Sequence, residues 1–407
     1  MNFEIDAFGT LVIAVIFLYV GRFLVNRINF FKNYNLPEPV IGGLVAAITA
    51  FVLYKFFNIS ATFNAQIQSI LMLMFFTSVG LGADFSKLKE GGKALFVFLF
   101  CVTAFVLVQN AVGMSLATVL GLDPLVGLIV GSITLTGGHG TAGAWGEVLE
   151  VQHGIQGAIV LGMASATFGL IIGGVVGGPV AKFLIKRHRL SDQVIEDKND
   201  TQLDTNTRSA TFEYPKKTRL ITANNAVSTL GMFALCIFIA NLMTDFSQGK
   251  WFELPTFVWA LGTGVILRNI LEHVFKVNIF DRAIDVFGNA SLSLYLSMAL
   301  LSLQLWLLAD LAGPLITILL VQALVLIGFT AFVTFKIMGK NYDAAVLAAG
   351  HCGFGMGATP TAIANIQAVT NTYGPSHKAF LIIPLCGAFF IDIINAIVIQ
   401  MTIAFFG

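Results

Sequence analysis

Charge is what this sequence has least of. Lys, Arg, Asp and Glu make up 11% of its 407 residues, and the net charge is +1; soluble domains carry roughly 25%. That scarcity excludes a soluble globular domain, and the absence of basic clusters interleaved with aromatics gives no reason to expect a nucleic-acid partner. Cysteine is equally sparse. Cys101, Cys236, Cys352 and Cys386 sit in apolar or glycine-rich stretches at spacings that match no metal site, so they read as small buried hydrophobes and leave the redox compartment open. A basic leader with a cleavage site is also missing: the start, MNFEIDAFGT, carries Glu4 and Asp6, and the first apolar run reads as an uncleaved helix. The signatures of enzymes are absent too. Neither glycine-rich run ends in the Gly-Lys-Ser/Thr of a nucleotide loop, and no Gly-x-Ser-x-Gly elbow, paired carboxylate site or nucleophile–base set emerges.

What the chain does have is apolar length. It is 57% hydrophobic with a mean hydropathy of +0.84, and a helix needs about 20 apolar residues to cross a hydrocarbon core. Runs of that kind fall near 8–26, 39–57, 67–83, 94–119, 155–183, 221–244, 254–271, 286–309, 312–335 and 379–404. The expected fold class is therefore an all-α polytopic membrane protein with ten transmembrane helices. Only one long polar stretch, at 186–219, interrupts it, and its composition cannot bury a core. The expected organisation is a first membrane repeat over 1–185, a cytoplasmic linker over 186–220 and a second repeat over 221–407.

The halves resemble each other. LPEPVIGG from Leu36 pairs with LPTFVWALG from Leu254, SILMLMFFTSVGL from Ser69 with SLSLYLSMALLSL from Ser291, and GSITLTGGHGTAGAW from Gly131 with GHCGFGMGATPTAIAN from Gly350. The offset stays at about 220 residues, as an internal repeat requires. Five spans per half is an odd number, so the second half enters the bilayer from the opposite side and the repeat is inverted, an arrangement of many secondary transporters. The basic residues agree. With the amino terminus outside, every Lys and Arg except Lys55 and Lys250 falls on the cytoplasmic side, as the positive-inside rule demands. The carboxyl terminus is then expected outside as well.

This count holds only if both glycine-rich segments begin and end on one side. Their arms, about 124–150 and about 343–370, are too short to span. They are expected to be re-entrant hairpins dipping in from opposite faces, a backbone tolerated at membrane depth only where protein or a watery cavity satisfies it. Thr359-Pro360 suggests an N-cap followed by proline, and Thr141 is a candidate cap for the returning arm of the first hairpin. Helix starts offer N–H groups to a carboxylate. Turn carbonyls and the hydroxyls of Ser132, Thr134, Thr136, Thr359 and Thr361 are hard oxygens suited to Na⁺. The candidate substrate-binding set is Ser132, Thr136, Gly137, Gly138, His139, Gly140, Thr141, Gly355, Gly357, Thr359, Thr361 and Asp392; the candidate Na⁺ set is Ser132, Thr134, Gly353, Gly355, Thr359, Asp392 and Asn395.

Asp392 is the carboxylate deep inside an expected span, where an ionised Asp costs about 2.5–3.5 kcal/mol. Three roles are open to it: ligand to Na⁺ or counter-ion to a substrate ammonium, proton relay, and structural hydrogen bonding. Asn395, nearly one turn on, either shares that site or packs. His139 and His351 read first as structural histidines. Glu38 and Asp84, at cytoplasmic ends, read as solvated or salt-bridged, and Gln109, Asn110, Gln304 and Gln322 as interhelical hydrogen-bonding groups.

With the inverted halves, GGHGTAGAW and GKNYDAAVLAAGHCGFGMGATPTAIANIQAVT on the page, the chain resembles the bacterial glutamate:sodium symporter family essentially end to end, through LPEPVIGGL, ATFGLIIGGVVGGPVAK, NASLSLYLSMAL and GAFFIDIINAIVI. The resemblance implies Na⁺-driven uptake of L-glutamate across the bacterial inner membrane and no organic cofactor. It further implies a homodimer and an elevator mechanism in which a domain carrying the hairpins slides against a fixed scaffold. Within transporters the rivals are another small carboxylate or H⁺ coupling; outside them, an ion channel.

Overall fold

The computed structural model describes residues 2–33, 36–57, 60–190, 221–250, 254–277, 279–301 and 312–406. Most of the linker and Gln304 lie outside these. The described chain is almost entirely helical: α1 (Ala7–Arg27), α2 (Glu38–Phe57), α3 (Gln66–Gly82), α4 (Ser86–Val119), α5 (Pro124–Leu128), α6 (Gly138–His153), α7 (Ala158–Arg187), α8 (Ala223–Ser247), α9 (Thr256–His273), α10 (Asp281–Leu301), α11 (Ala312–Phe329), α12 (Tyr342–Met356), α13 (Thr359–Tyr373), α14 (His377–Leu385) and α15 (Ile391–Phe406). Among the described residues, seven helices are long and apolar enough to cross a membrane: α1, α2, the Gly92–Val119 part of α4, α7, α8, α10, and α11 with its continuation to Ile337.

The other three expected spans are helical but depart from a plain apolar rod, each for a visible reason. α3 has only 17 residues. α9 carries the buried Arg268, paired to Glu272 at 2.8 Å and to Asp281. α14 and α15 are separated by a π-helical turn, Cys386–Phe390. Similar turns occupy Ile129–Ile133 and Thr330–Thr334. Such turns release backbone groups from the regular ladder and recur at functional sites.

A short parallel pair of strands was not legible beforehand. β1 (Asn2–Ile5) lies beside β2 (Ser60–Phe63), because α1 and α2 pack together and bring the residues before one and after the other to the same end. Asp6 then caps α1 by accepting from the Gly9 amide at 2.9 Å, a standard helix start.

Helix packing divides into two groups. α1, α2, α3, α8, α9 and α10 pack chiefly on one another; α4, α7, α11, α14 and α15 pack with the broken segments α5–α6 and α12–α13. The groups meet where α3, α9 and α10 touch α6, the Cys386–Phe390 turn and α15. Each group thus takes elements from both halves of the chain, and the ordering three helices, long helix, broken pair, then closing helix occurs twice.

Candidate functional site

At that boundary lies a cavity of about 510 Å³. One wall is the start of α2 with Phe75 of α3 and Asn289, Leu292, Ser293 and Leu296 of α10; the other is built from the two helix breaks and the start of α15. Of the residues singled out in the sequence, Thr136, Gly137, Gly138, His139, Gly140, Gly357, Thr359, Thr361 and Asp392 all line it. Segments more than two hundred residues apart in sequence are brought face to face. The tips nearly touch: a Cβ added at Gly138 would stand 3.8 Å from the Gly357 carbonyl oxygen, and Gly138 has φ +70°, a backbone state glycine adopts without strain.

Neither tip is capped as expected. The N-cap of α6 is Gly137 and that of α13 is Ala358, and no side chain bonds to either helix start. Thr359 is instead the first residue of α13, and its hydroxyl donates to the Gly387 carbonyl at 2.7 Å, an acceptor in the Cys386–Phe390 turn. Thr141 lies inside α6, one turn past its start. Elsewhere the helices do use side-chain caps: Asp123 on α5, Thr222 on α8 and Asn341 on α12. Among the described residues, then, no side chain caps either helix start beside the cavity, and each start carries the positive end of a helix dipole.

The break in the second segment is also narrower than the sequence suggests. Gly353 and Gly355 stay helical, since α12 continues to Met356; small residues let its last turn pack tightly, and a Cβ on Gly353 would come within 2.3 Å of Ala362 Cα. Gly355 faces Leu326 and Phe105, away from the cavity, and its carbonyl accepts from Gln109 Nε2 at 2.7 Å.

Ser132, Thr134 and Asn395 lie just behind the first tip. All three are buried. Asn395 Nδ2 donates to the Ser132 carbonyl at 2.9 Å and Asn110 Oδ1 accepts from the Ser132 amide at 2.9 Å. Ser132 Oγ, Thr134 Oγ1, Asn395 Oδ1 and, on the other tip, Thr361 Oγ1 have no hydrogen-bond partner among the described residues. Buried oxygens without partners are costly, and hard oxygens of this kind are chemically suited to a small cation.

Asp392 has no hydrogen-bond or ion-pair partner among the described residues. No Lys or Arg lines the cavity; the buried Arg268 is held by carboxylates elsewhere, and Glu38 at the rim is paired with Arg22 at 2.8 Å. His139 lines the wall with Nε2 at 3.0 Å from the Thr167 hydroxyl. His351 is fully buried, bonded through Nδ1 to the Thr334 hydroxyl at 2.9 Å and ringed by Phe98, Phe105 and Phe329. Among the described residues no three His, Cys, Asp or Glu side chains group as a metal site.

The α10 wall went unnoticed in the sequence. Asn289 and Ser293 are four residues apart on α10, and Ser293 Oγ donates to the Asn289 carbonyl at 2.9 Å. That polar spacing was a usable signal, hidden by the LSLYLS pattern around it.

Comparison with known proteins places this architecture. A sequence model of the sodium/glutamate symporter family matches residues 3–375. The chain is 46% identical over 404 residues to the sodium/glutamate symporter of Haemophilus influenzae, covering 99% of this chain and 98% of that one. It is 48% identical over 399 residues to those of Escherichia coli K12 and Shigella flexneri, covering 98% of each partner. A match of that identity and extent, on a multi-pass membrane fold, means that the chain belongs to the sodium/glutamate symporter family.

Proposed function

We propose that this protein carries L-glutamate into the cell together with Na⁺ across a bacterial inner membrane. The observation that carries the reading at the site is the charge pattern of one cavity: an unpartnered carboxylate, Asp392, on the same wall as two helix starts without side-chain caps, and no basic side chain. Glutamate has the complementary pattern. Its ammonium meets Asp392, and its carboxylates take the amides at the starts of α6 and α13, where helix dipoles favour anions. The buried oxygens of Ser132, Thr134 and Asn395, with Thr359 and Thr361 on the other tip, supply Na⁺ with hard ligands; the carbonyl of Gly355, already accepting from Gln109, is not among them.

In this reading α5–α6 and α12–α13 are re-entrant hairpins of two inverted five-helix repeats, with both termini outside and the linker cytoplasmic. The division of helices into two packing groups supports an elevator: α1–α3 and α8–α10 form the scaffold, through which two protomers pair, and the remaining helices carry the hairpins. Energetics set the coupling. Moving glutamate's net negative charge inward against a negative-inside potential costs roughly 2.3 kcal/mol per 100 mV, and one Na⁺ only cancels that charge. Inward transport therefore uses at least two Na⁺ per glutamate and is electrogenic; uptake unaffected by an imposed potential would overturn this stoichiometry.

The direct test is counterflow of labelled L-glutamate in proteoliposomes with Na⁺ or choline on both sides. Na⁺-dependent exchange is expected in the wild type and its loss in Asp392→Asn, since removing one partner of a desolvated charge pair costs about 2–5 kcal/mol. Normal exchange by a folded Asp392→Asn protein would remove Asp392 from the site, and exchange indifferent to Na⁺ would overturn the coupling ion.

A further inference from the structure

Gln109 sits in the second half of α4, fully buried, and its side chain reaches both broken segments at once. Nε2 donates to the Gly355 carbonyl at 2.7 Å, just before the break between α12 and α13. Oε1 accepts from the Thr136 hydroxyl at 2.8 Å, on the cavity wall before α6. The orientation of the amide is dictated by its partners: a carbonyl can only accept, so the NH₂ faces Gly355 and the oxygen faces Thr136. The Gln109 backbone carbonyl is fixed in turn, accepting from Gln322 Nε2 of α11 at 2.8 Å. The residue beside it, Asn110, holds the Ser132 amide. α4 thus ties the two tips to a single pair of adjacent amide side chains.

We propose that Gln109 is a positioning residue that couples the two half-sites, so that Na⁺ held on one segment strengthens glutamate binding that involves the other. Coupling between ligands needs an element whose arrangement both ligands bias. Hydrogen bonds weaken steeply once stretched past about 3.5 Å, so the Thr136 and Gly355 bonds survive together only while the two segments keep their separation. An ion that orders one segment then orders the other through this side chain, lowering the ordering that glutamate must still bring about. The proposal rests on the Na⁺-coupled reading above and adds where the coupling is carried.

The test is calorimetric binding of L-glutamate to the purified full-length protein over a series of NaCl concentrations balanced with choline chloride. Gln109→Met keeps the volume and removes both bonds; Gln109→Glu keeps the acceptor for Thr136 and removes the donor to Gly355. In both, the factor by which Na⁺ tightens glutamate binding is expected to shrink, about tenfold for Gln109→Met, with the affinity at low Na⁺ little changed. Thr136→Val cuts the same bridge from its other end, and the double variant with Gln109→Met is expected to show the same factor as Gln109→Met alone. If the Gln109 variants fail to fold, Thr136→Val with its Na⁺ series carries the test by itself. Binding weakened equally at all Na⁺ concentrations, or a factor equal to the wild type's, overturns the proposal. Wild-type binding that ignores Na⁺ overturns the symport reading instead.

Discussion

The segments Pro124–His153 and Tyr342–Tyr373 present similar tips to one cavity yet are held in different ways. The first approaches through a π-helical turn containing the non-helical Gly131, and side-chain amides grip it: Asn110 and Asn395 hold the Ser132 backbone, and Gln109 accepts from the Thr136 hydroxyl. The second arrives as a regular helix in which every residue but Asp343 is buried, and its two arms close on each other through backbone contact at Gly353. One tip is positioned by hydrogen bonds, the other mostly by packing. Hydrogen-bonded placement is directional and adjustable in small steps, whereas close packing tolerates little change in volume. The two halves of the site should therefore fail differently.

The largest contrast comes from adding volume to the packed tip. Gly353→Val places a branched side chain where the first carbon alone would meet Ala362 backbone at 2.3–2.4 Å; overpacking costs about 1–3 kcal/mol or more. Loss of Na⁺-driven uptake and a lowered melting temperature are expected. Gly178→Ala, with nothing within 4 Å of the added carbon, is the matched control and should melt no lower than wild type. A Gly353→Val protein with normal transport would mean that the second tip is not held by packing.

Removing a grip on the other tip should act more selectively. Asn395→Leu leaves the Ser132 carbonyl without the amide at 2.9 Å and deletes the unpartnered Oδ1. An orphaned buried acceptor costs about 1–3 kcal/mol. The expected result is a folded protein whose half-saturating Na⁺ concentration in uptake assays rises about tenfold or more, while Asn395→Asp, which preserves an oxygen at that place, falls between. An unchanged Na⁺ requirement in Asn395→Leu would assign Asn395 to packing alone and blur the contrast between the tips.

How far this contrast could be read beforehand depends on the range of the forces involved. Composition and hydropathy report burial in a bilayer, which is why the apolar runs and the two short glycine-rich segments stood out. Asp392 stood out for the same reason, as a charge where charge is expensive. The grips did not. Gln109, Asn110 and Gln322 read only as interhelical hydrogen-bonding groups, because partners 22 to 246 residues away in sequence leave no local periodicity. The caps misled for a related reason: Thr359 has the right local pattern, but its hydroxyl turns to Gly387, an acceptor exposed by a helix irregularity 28 residues on. The strands β1 and β2 escaped because each is four residues long and finds its partner only through the packing of α1 on α2.

The smallest effect is expected at the rim. Glu38 lines the cavity opposite both tips and is paired with Arg22, with their side chains 34% and 53% exposed. An ion pair that open to solvent is screened and contributes little to stability. Its place at the mouth leaves it one electrostatic part to play, since a carboxylate there repels an anionic substrate while the neighbouring guanidinium compensates. Glu38→Gln removes the repulsion and frees the Arg22 charge. The melting temperature should stay near the wild type's and the maximal transport rate should change within about twofold, while glutamate on the side where Glu38 is exposed should bind somewhat more tightly at low ionic strength and lose that advantage at high salt, as screening of exposed charge requires. A large effect that persists at high salt would place Glu38 among the groups that contact substrate, and the contrast between the two tips would then have to include the wall they face.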